Sequence, residues 1–183
     1  MDTLVLTKGV PDFREGQVSF DEDGHLERGK TPTVMNPNDR FALQAALQTK
    51  VRHGGSVGVM SMGPPGYKEV LQEAMESVYG DELYLLSDRE MAAADTWATS
   101  ITLATGIEKL GVPDLIFAGF KTADGETGHT GPQTCWALDI PIITHVIALD
   151  VDPDERRVRA KRLVEGDIEE VETVEADLPA LVV

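Results

Sequence analysis

The chain has 183 residues, 42% apolar and 26% charged, enough for one domain (1–183) whose core needs no disulfide or metal staple. Sixteen Lys and Arg stand against thirty-two Asp and Glu, a formal net charge of −16, which argues against a broad basic surface for nucleic acid or an anionic membrane. The single cysteine, Cys135, excludes an internal disulfide, a CxxC redox pair and a cysteine zinc site. The start, Met1 to Lys8, lacks the basic and long apolar parts of a secretory signal, and no apolar run reaches membrane-spanning length, so the expected location is cytoplasmic.

Leu4 to Leu6 reads as a first buried strand running into a loop from Thr7 to Asp12. Val18 to Leu26, alternating around Asp23-Gly24, reads as a polar edge hairpin. Asn36-Pro37-Asn38-Asp39 predicts a helix start, with Asn36 as cap, Pro37 at the first helical position and Asp39 serving the free N–H groups. That helix runs to about His53, with Leu43, Ala46, Leu47 and Val51 as its apolar stripe and Gly54-Gly55 as its left-handed exit. Ser56 to Met60 is the next strand. A second helix carries Val70, Leu71, Ala74, Met75 and Val78, and a strand follows from Leu83 to Leu86. Asp95 caps a third helix on which Trp97, Ile101, Ala104 and Ile107 recur at helical spacing. Leu115 to Ala118 is a strand, Gln133 to Leu138 a short helix, and Ile140 to Val146 another strand. This alternation predicts a doubly wound, mainly parallel α/β sheet with helices on both faces. Val158 to Leu163 and Glu169 to Val174, between charged turns, predict an antiparallel C-terminal hairpin region. Leu178 to Val183 is a last apolar strand, and a stop there fits either a buried terminal strand or a missing C-terminal portion.

No GxxxxGKS/T phosphate loop, no GxGxxG after the first strand, no GxSxG elbow and no HExxH occur. The four histidines lack metal-ligand spacing, and Cys135 has no nearby base to make a thiolate. The informative stretch is Gly119 to Pro132, which follows a buried strand at the edge where open α/β sheets bind ligands. Its glycines permit close backbone approach, Thr127 and Thr130 offer hydroxyl donors near a helix start, and Lys121 can neutralise a phosphate. As a long loop it is also compatible with a plain surface turn. Met60 to Pro64 and Ala94 to Ser100 belong on the same side, and Thr96, Thr99 and Ser100 cluster in a first helical turn. Together these termini describe a nucleotide pocket, and no acid/base pair for catalysis stands out.

Six fragments in this order, Lys8 to Asp12, Met35-Asn36-Pro37, Ser61 to Pro64, Val112 to Leu115, the Gly119 to Gly131 loop and Leu178-Pro179-Ala180, make the chain resemble the beta subunit of electron transfer flavoprotein. The resemblance implies a fold of the adenine-nucleotide-binding type and an electron carrier rather than a conventional enzyme, one that pairs with an alpha subunit and moves electrons between flavin dehydrogenases, such as acyl-CoA dehydrogenase, and an acceptor. It also implies an AMP, or in the electron-bifurcating branch a second FAD reduced by NADH, in this pocket. Leu86 to Arg89 and Ala94 to Ser100 look like that branch, which favours FAD over AMP and adds ferredoxin or quinone reductase as possible acceptors. Carried over by position, the nucleotide contacts are Leu6, Asn36, Asp39, Met62, Asp95, Thr96, Thr99, Gly119, Lys121, Asp124, Gly125, Thr127, Gly128, His129 and Thr130. Two departures stand out: Phe120 occupies the place where the family usually has a cation, with Lys121 following, and the family continues past the Leu178-Pro179 strand with a basic arm, whereas this sequence stops at Val183. The competing reading is a stand-alone adenine-nucleotide module of the universal-stress-protein type, which would carry no flavin.

Overall fold

The computed structural model describes residues 1–13, 22, 32–164 and 170–183. The chain opens with β1 (Thr3–Leu6), β2 (Gly9–Pro11) and β3 (Thr33–Met35), and α1 (Asp39–His53) follows. Then come β4 (Val57–Met62), α2 (Tyr67–Ser77), β5 (Glu82–Leu86), α3 (Thr96–Leu110), β6 (Leu115–Ala118) and α4 (Thr130–Ala137). The last strands are β7 (Ile142–Ile143), β8 (Val146–Asp152), β9 (Arg157–Val164), β10 (Glu170–Asp177) and β11 (Ala180–Val182).

Six of these strands form one sheet in the order β5-β4-β1-β6-β11-β7, and every pairing in it is parallel. Successive residues point to opposite faces, so a strand with helices on both sides is buried throughout, as β1 and β6 are. On one face Val5, Val57, Val59, Leu115, Phe117 and Val182 pack with Ala42, Leu43 and Ala46 of α1 and Val70, Leu71 and Ala74 of α2. On the other, Leu4, Leu6, Met60, Ile116 and Leu181 pack with Leu103 and Ile107 of α3 and Cys135 of α4. The doubly wound architecture expected from the alternation is therefore present. The C-terminal antiparallel unit has three strands, β10-β9-β8, and joins the first face through Val151, Val158 and Ala160.

Several local expectations need correction. The first helix begins at Asp39, with Asn38 at the cap position, so Asn36 and Pro37 stand outside it in a turn in which Asp39 N donates to Asn36 O at 3.1 Å. Val51 is 76% exposed, and the buried side of α1 is Ala42, Leu43, Ala46 and Thr49. On α3 the buried stripe is Ser100, Leu103, Ala104 and Ile107, whereas Trp97 and Ile101 face outward. The strand expected from Ile140 to Val146 is broken: His145 takes a φ of 61°, and the chain leaves the central sheet there to enter β8. The loop from Thr7 to Asp12 contains β2, paired antiparallel with β3. The expected hairpin at Val18 to Leu26 and the turn at Glu165 to Asp167 lie outside the described residues, except for Glu22.

Candidate functional site

From β1 the chain winds outward through β4 to β5, then returns to place β6 on the other side of β1. The reversal leaves a crevice beyond the carboxyl ends of β1 and β6, the position at which open α/β sheets take ligands. Leu6 is in register with Met60 on one side and Ala118 on the other, so Thr7-Lys8 and Gly119 leave the sheet beside Ser61-Met62, the last residues of β4.

A ring of hydrogen bonds ties the segments that follow β1 and β6 to the Asn36–Asp39 turn between β3 and α1. Asn36, fully buried, donates from Nδ2 to Asp39 Oδ1 at 2.7 Å and to the Lys121 carbonyl at 3.0 Å, and its Oδ1 accepts from Ala123 N at 3.1 Å. Asn38 Nδ2 donates to the same Lys121 carbonyl at 2.8 Å. Asp39 Oδ2 accepts from Lys8 N at 2.8 Å, and Lys8 Nζ reaches both carboxylate oxygens of Asp124 at 2.9 and 2.7 Å. Burial pushes the Asp39 carboxyl from 3.8 up to about 7; the bonds from Asn36 and Lys8 oppose that rise, and the Asp124 charge adds to it. Gly119 closes the ring, because a Cβ there would overlap Asp39 Oδ1 and lie 2.9 Å from the Asn38 carbonyl carbon.

The other wall is made by the starts of α3 and α4. Asp95 caps α3 by accepting from Ala98 N at 2.8 Å. Ser100 Oγ, buried, contacts the Thr96 carbonyl at 2.6 Å and the Thr130 carbonyl at 3.1 Å, which joins the two helix starts. Thr96, Thr99 and Thr130 are half-buried on this wall, and Gly125, Thr127 and His129 are exposed along the loop that leads into α4. Gly128 adopts a φ of 66°. Thr127 Oγ1 accepts from His129 N at 3.4 Å, and Lys121 Nζ pairs with Glu126 at 3.2 Å. Leu6 belongs to the core beneath this wall, and Met62, half-buried, ends β4 where Gly63 N donates to the Leu86 carbonyl at 3.0 Å.

Lys8 is the tie that the reading of the loops leaves unassigned, whereas Ser100 clusters in sequence with Thr96 and Thr99 and Asn38 lies inside the expected Asn36 to Asp39 contact. Lys8 carries a signal in hindsight, being a cation two residues beyond a buried strand at the edge that binds ligands. Cys135 is core as expected: its Sγ meets the Ile140 carbonyl at 2.8 Å, and burial pushes the thiol up to about 11, so it supplies no thiolate. Among the described residues no group of His, Cys, Asp and Glu is arranged to hold a metal, and no helix is long and apolar enough to cross a membrane.

Two observations test whether a nucleotide suits this crevice. Thr7 Oγ1 and Ser61 Oγ are buried on adjacent strand ends with no hydrogen-bond partner among the described residues, a deficit worth about 1–3 kcal/mol each when unmet. A bound polar group beside them would supply the missing acceptors. Gly119, directly after β6, and Gly128, with its φ of 66°, present bare backbone along the loop that leads to α4. The donors and hydroxyls present thus fit a phosphorylated ligand.

The profile of the electron transfer flavoprotein domain matches residues 23–183. The chain belongs to the electron transfer flavoprotein domain family. Among its relatives, the electron transfer flavoprotein subunit beta of Clostridium acetobutylicum is 41% identical over 99% of this chain and 67% of its own length. The caffeyl-CoA reductase-Etf complex subunit CarD of Acetobacterium woodii is 40% identical over 99% of this chain and 67% of its own length. Protein FixA of Sinorhizobium fredii is 37% identical over the whole chain and 64% of its own length. The chain thus spans about two thirds of the curated relatives it matches. In this electron transfer flavoprotein domain the profile takes in the Asn36–Asp39 turn and both helix starts, whereas Lys8 precedes it.

Proposed function

We propose that this chain is the beta subunit of a heterodimeric electron transfer flavoprotein that holds FAD, in preference to AMP, in the crevice between the ends of β1 and β6. With an alpha subunit it passes electrons from a flavin dehydrogenase or NADH to a downstream acceptor. The observation that carries the reading is the convergence of the β1, β4 and β6 loop ends with two orphaned hydroxyls, Thr7 and Ser61. Relatives named as a beta subunit and as part of a caffeyl-CoA reductase-Etf complex support the carrier role and a CoA-ester redox enzyme as a partner.

In this reading the chain binds and orients. The adenosine half lies along Gly119 to Gly128, where the glycines allow backbone contact, and Lys8 and Lys121 flank this loop, each held in an ion pair with one of its acids, Asp124 and Glu126. The free N–H groups at the starts of α3 and α4, with the hydroxyls of Thr96, Thr99 and Thr130, face the phosphates or the ribityl chain. When bound, the isoalloxazine supplies the redox chemistry that no side chain here offers. The protein's part is to fix the ring's position and limit water around it.

The test is to co-express the chain with its alpha partner, release the bound nucleotides and count them by mass and absorbance. Two FAD per heterodimer support the reading in full, and one FAD with one AMP moves the crevice to AMP. A heterodimer holding no nucleotide in this subunit overturns it.

A further inference from the structure

Asn36 and Asp39 are too deeply placed to serve as ordinary ligand contacts. Asn36 is 0% and Asp39 4% exposed, and both Asn36 N–H bonds and its carbonyl oxygen are already committed to protein partners. Both oxygens of Asp39 are also engaged, by Asn36 Nδ2 and Lys8 N. What the pair does touch is the backbone of the loop after β6, at the Lys121 carbonyl and the Ala123 N–H.

We infer that Asn36 and Asp39 are positioning residues for the nucleotide site: the Asp39 carboxylate fixes which way the Asn36 amide faces, and that amide sets the 121–124 loop at its working distance from β1. The inference rests on the nucleotide reading of the crevice and goes beyond it by assigning the pair an indirect role. The logic is that of donor matching. An amide has one donor end and one acceptor end. With Asp39 as a pure acceptor, Asn36 must aim Nδ2 toward it, which leaves Oδ1 for Ala123 N and the second Nδ2 hydrogen for the Lys121 carbonyl. Turning the amide over would set two acceptors face to face and two donors face to face, costing about 1–3 kcal/mol for each buried group left unmet. Lys8 continues the chain of constraint, since the residue whose N–H is held by Asp39 also grips Asp124 at the far end of the same loop.

The charged groups around Asp39 are Lys8 from the β1–β2 connection and Asp124 from the loop, with the Lys121–Glu126 pair beyond. A carboxyl that loses its proton near neutrality makes the device pH-sensitive. Protonation puts a hydrogen on an oxygen that now only accepts, weakening the hold on either Asn36 or Lys8.

The experiment uses amide hydrogen exchange at Ala123 and titration with FAD and AMP as probes, on the full chain. Asp39→Asn sets an amide against the Asn36 amide and the Lys8 N–H, so Ala123 should exchange at least tenfold faster and both probes should bind at least tenfold more weakly, while exchange within α2 stays as in the wild type. The swap Asn36→Asp with Asp39→Asn restores an acceptor for Ala123 N, a donor–acceptor match inside the pair and an acceptor for Lys8 N, while it leaves the Lys121 carbonyl to Asn38 Nδ2 alone; it should recover part of both losses. In the wild type, protection at Ala123, corrected for the intrinsic rate, should fall as pH drops through about 7, and Asp39→Asn should flatten that profile. Unchanged Ala123 exchange and probe affinity in Asp39→Asn, or a swap no better than the single variant, overturns the positioning role. If the single variant does not fold, the swap and the wild-type pH profile decide. Failure of the wild type to take up either probe overturns the nucleotide reading instead, and the exchange at Ala123 still judges the pair by itself.

Discussion

Gly119 meets Asp39 so closely that even a methyl group has no room. Overpacking of this kind costs about 1–3 kcal/mol, so Gly119→Ala should lower the thermal midpoint and weaken nucleotide uptake together, as read by calorimetry and flavin retention. Asp39 itself sets a pH dependence of stability. Its carboxyl, raised by burial from 3.8 to about 7, keeps its proton in the folded chain at pH values where the unfolded chain has released it. The group therefore favours folding at low pH, and that contribution is lost as pH rises from about 4 through about 7. Urea unfolding should show wild-type stability falling between about pH 4 and about pH 7 more steeply than that of Asp39→Asn; equal slopes would remove Asp39 as the source. At this scale the sequence was partly legible. The Asn-Pro-Asn-Asp turn and the Gly119 loop drew attention by residue type, but spacing along the chain is blind to which atoms meet across it. Lys8 and Asp124 lie 116 positions apart, and nothing local to either residue announces the other.

Elements were easier to foresee, because a helix or strand records its buried face in a short repeat. Asp95 was expected to cap α3, and it does, through Ala98 N. Asp95→Ala should cost about 1 kcal/mol, measurable as a lower urea midpoint, with loss of order confined to the first turn of α3 and the Thr96 and Thr99 wall it presents. The errors have a common cause. Apolar residues at helical spacing can form either of two adjacent stripes, and on α3 the burial fell on Ser100, Leu103, Ala104 and Ile107, leaving Trp97 outside, where it packs against Trp136 at a ring separation of 5.4 Å. Likewise Ile140 to Val146 looks continuous in composition. The break at His145 comes from the need to send the chain from one sheet to another, a requirement that local residue preference does not encode.

For the whole molecule, the alternation of strands and helices specified layers and parallel pairing but not strand order. The place of β11 between β6 and β7 is the least expected part, since it brings Leu181 opposite Ile116 and Ile142, far away in sequence. Leu181 is fully buried there, and Leu181→Ala should cost about 2–5 kcal/mol, read by calorimetry as a lower unfolding midpoint. A loss below 1 kcal/mol would argue that this strand is loosely held. The three-stranded unit contributes apolar contacts through Val158 and Ala160 while its outer face carries cross-strand ion pairs such as Arg159 with Glu175 at 2.6 Å, which are worth little in water.

The insertion of β11 also bears on synthesis. As the polypeptide leaves the ribosome, β7 emerges before the strand that pairs it into the sheet, and the flank of β6 waits open for the same segment. Ile142 and Ile143, with the unpaired backbone of β6, then form a sticky margin on the nascent chain. A translation product halted between β7 and β11 should therefore be a stronger client for chaperones than one carried through to residue 182.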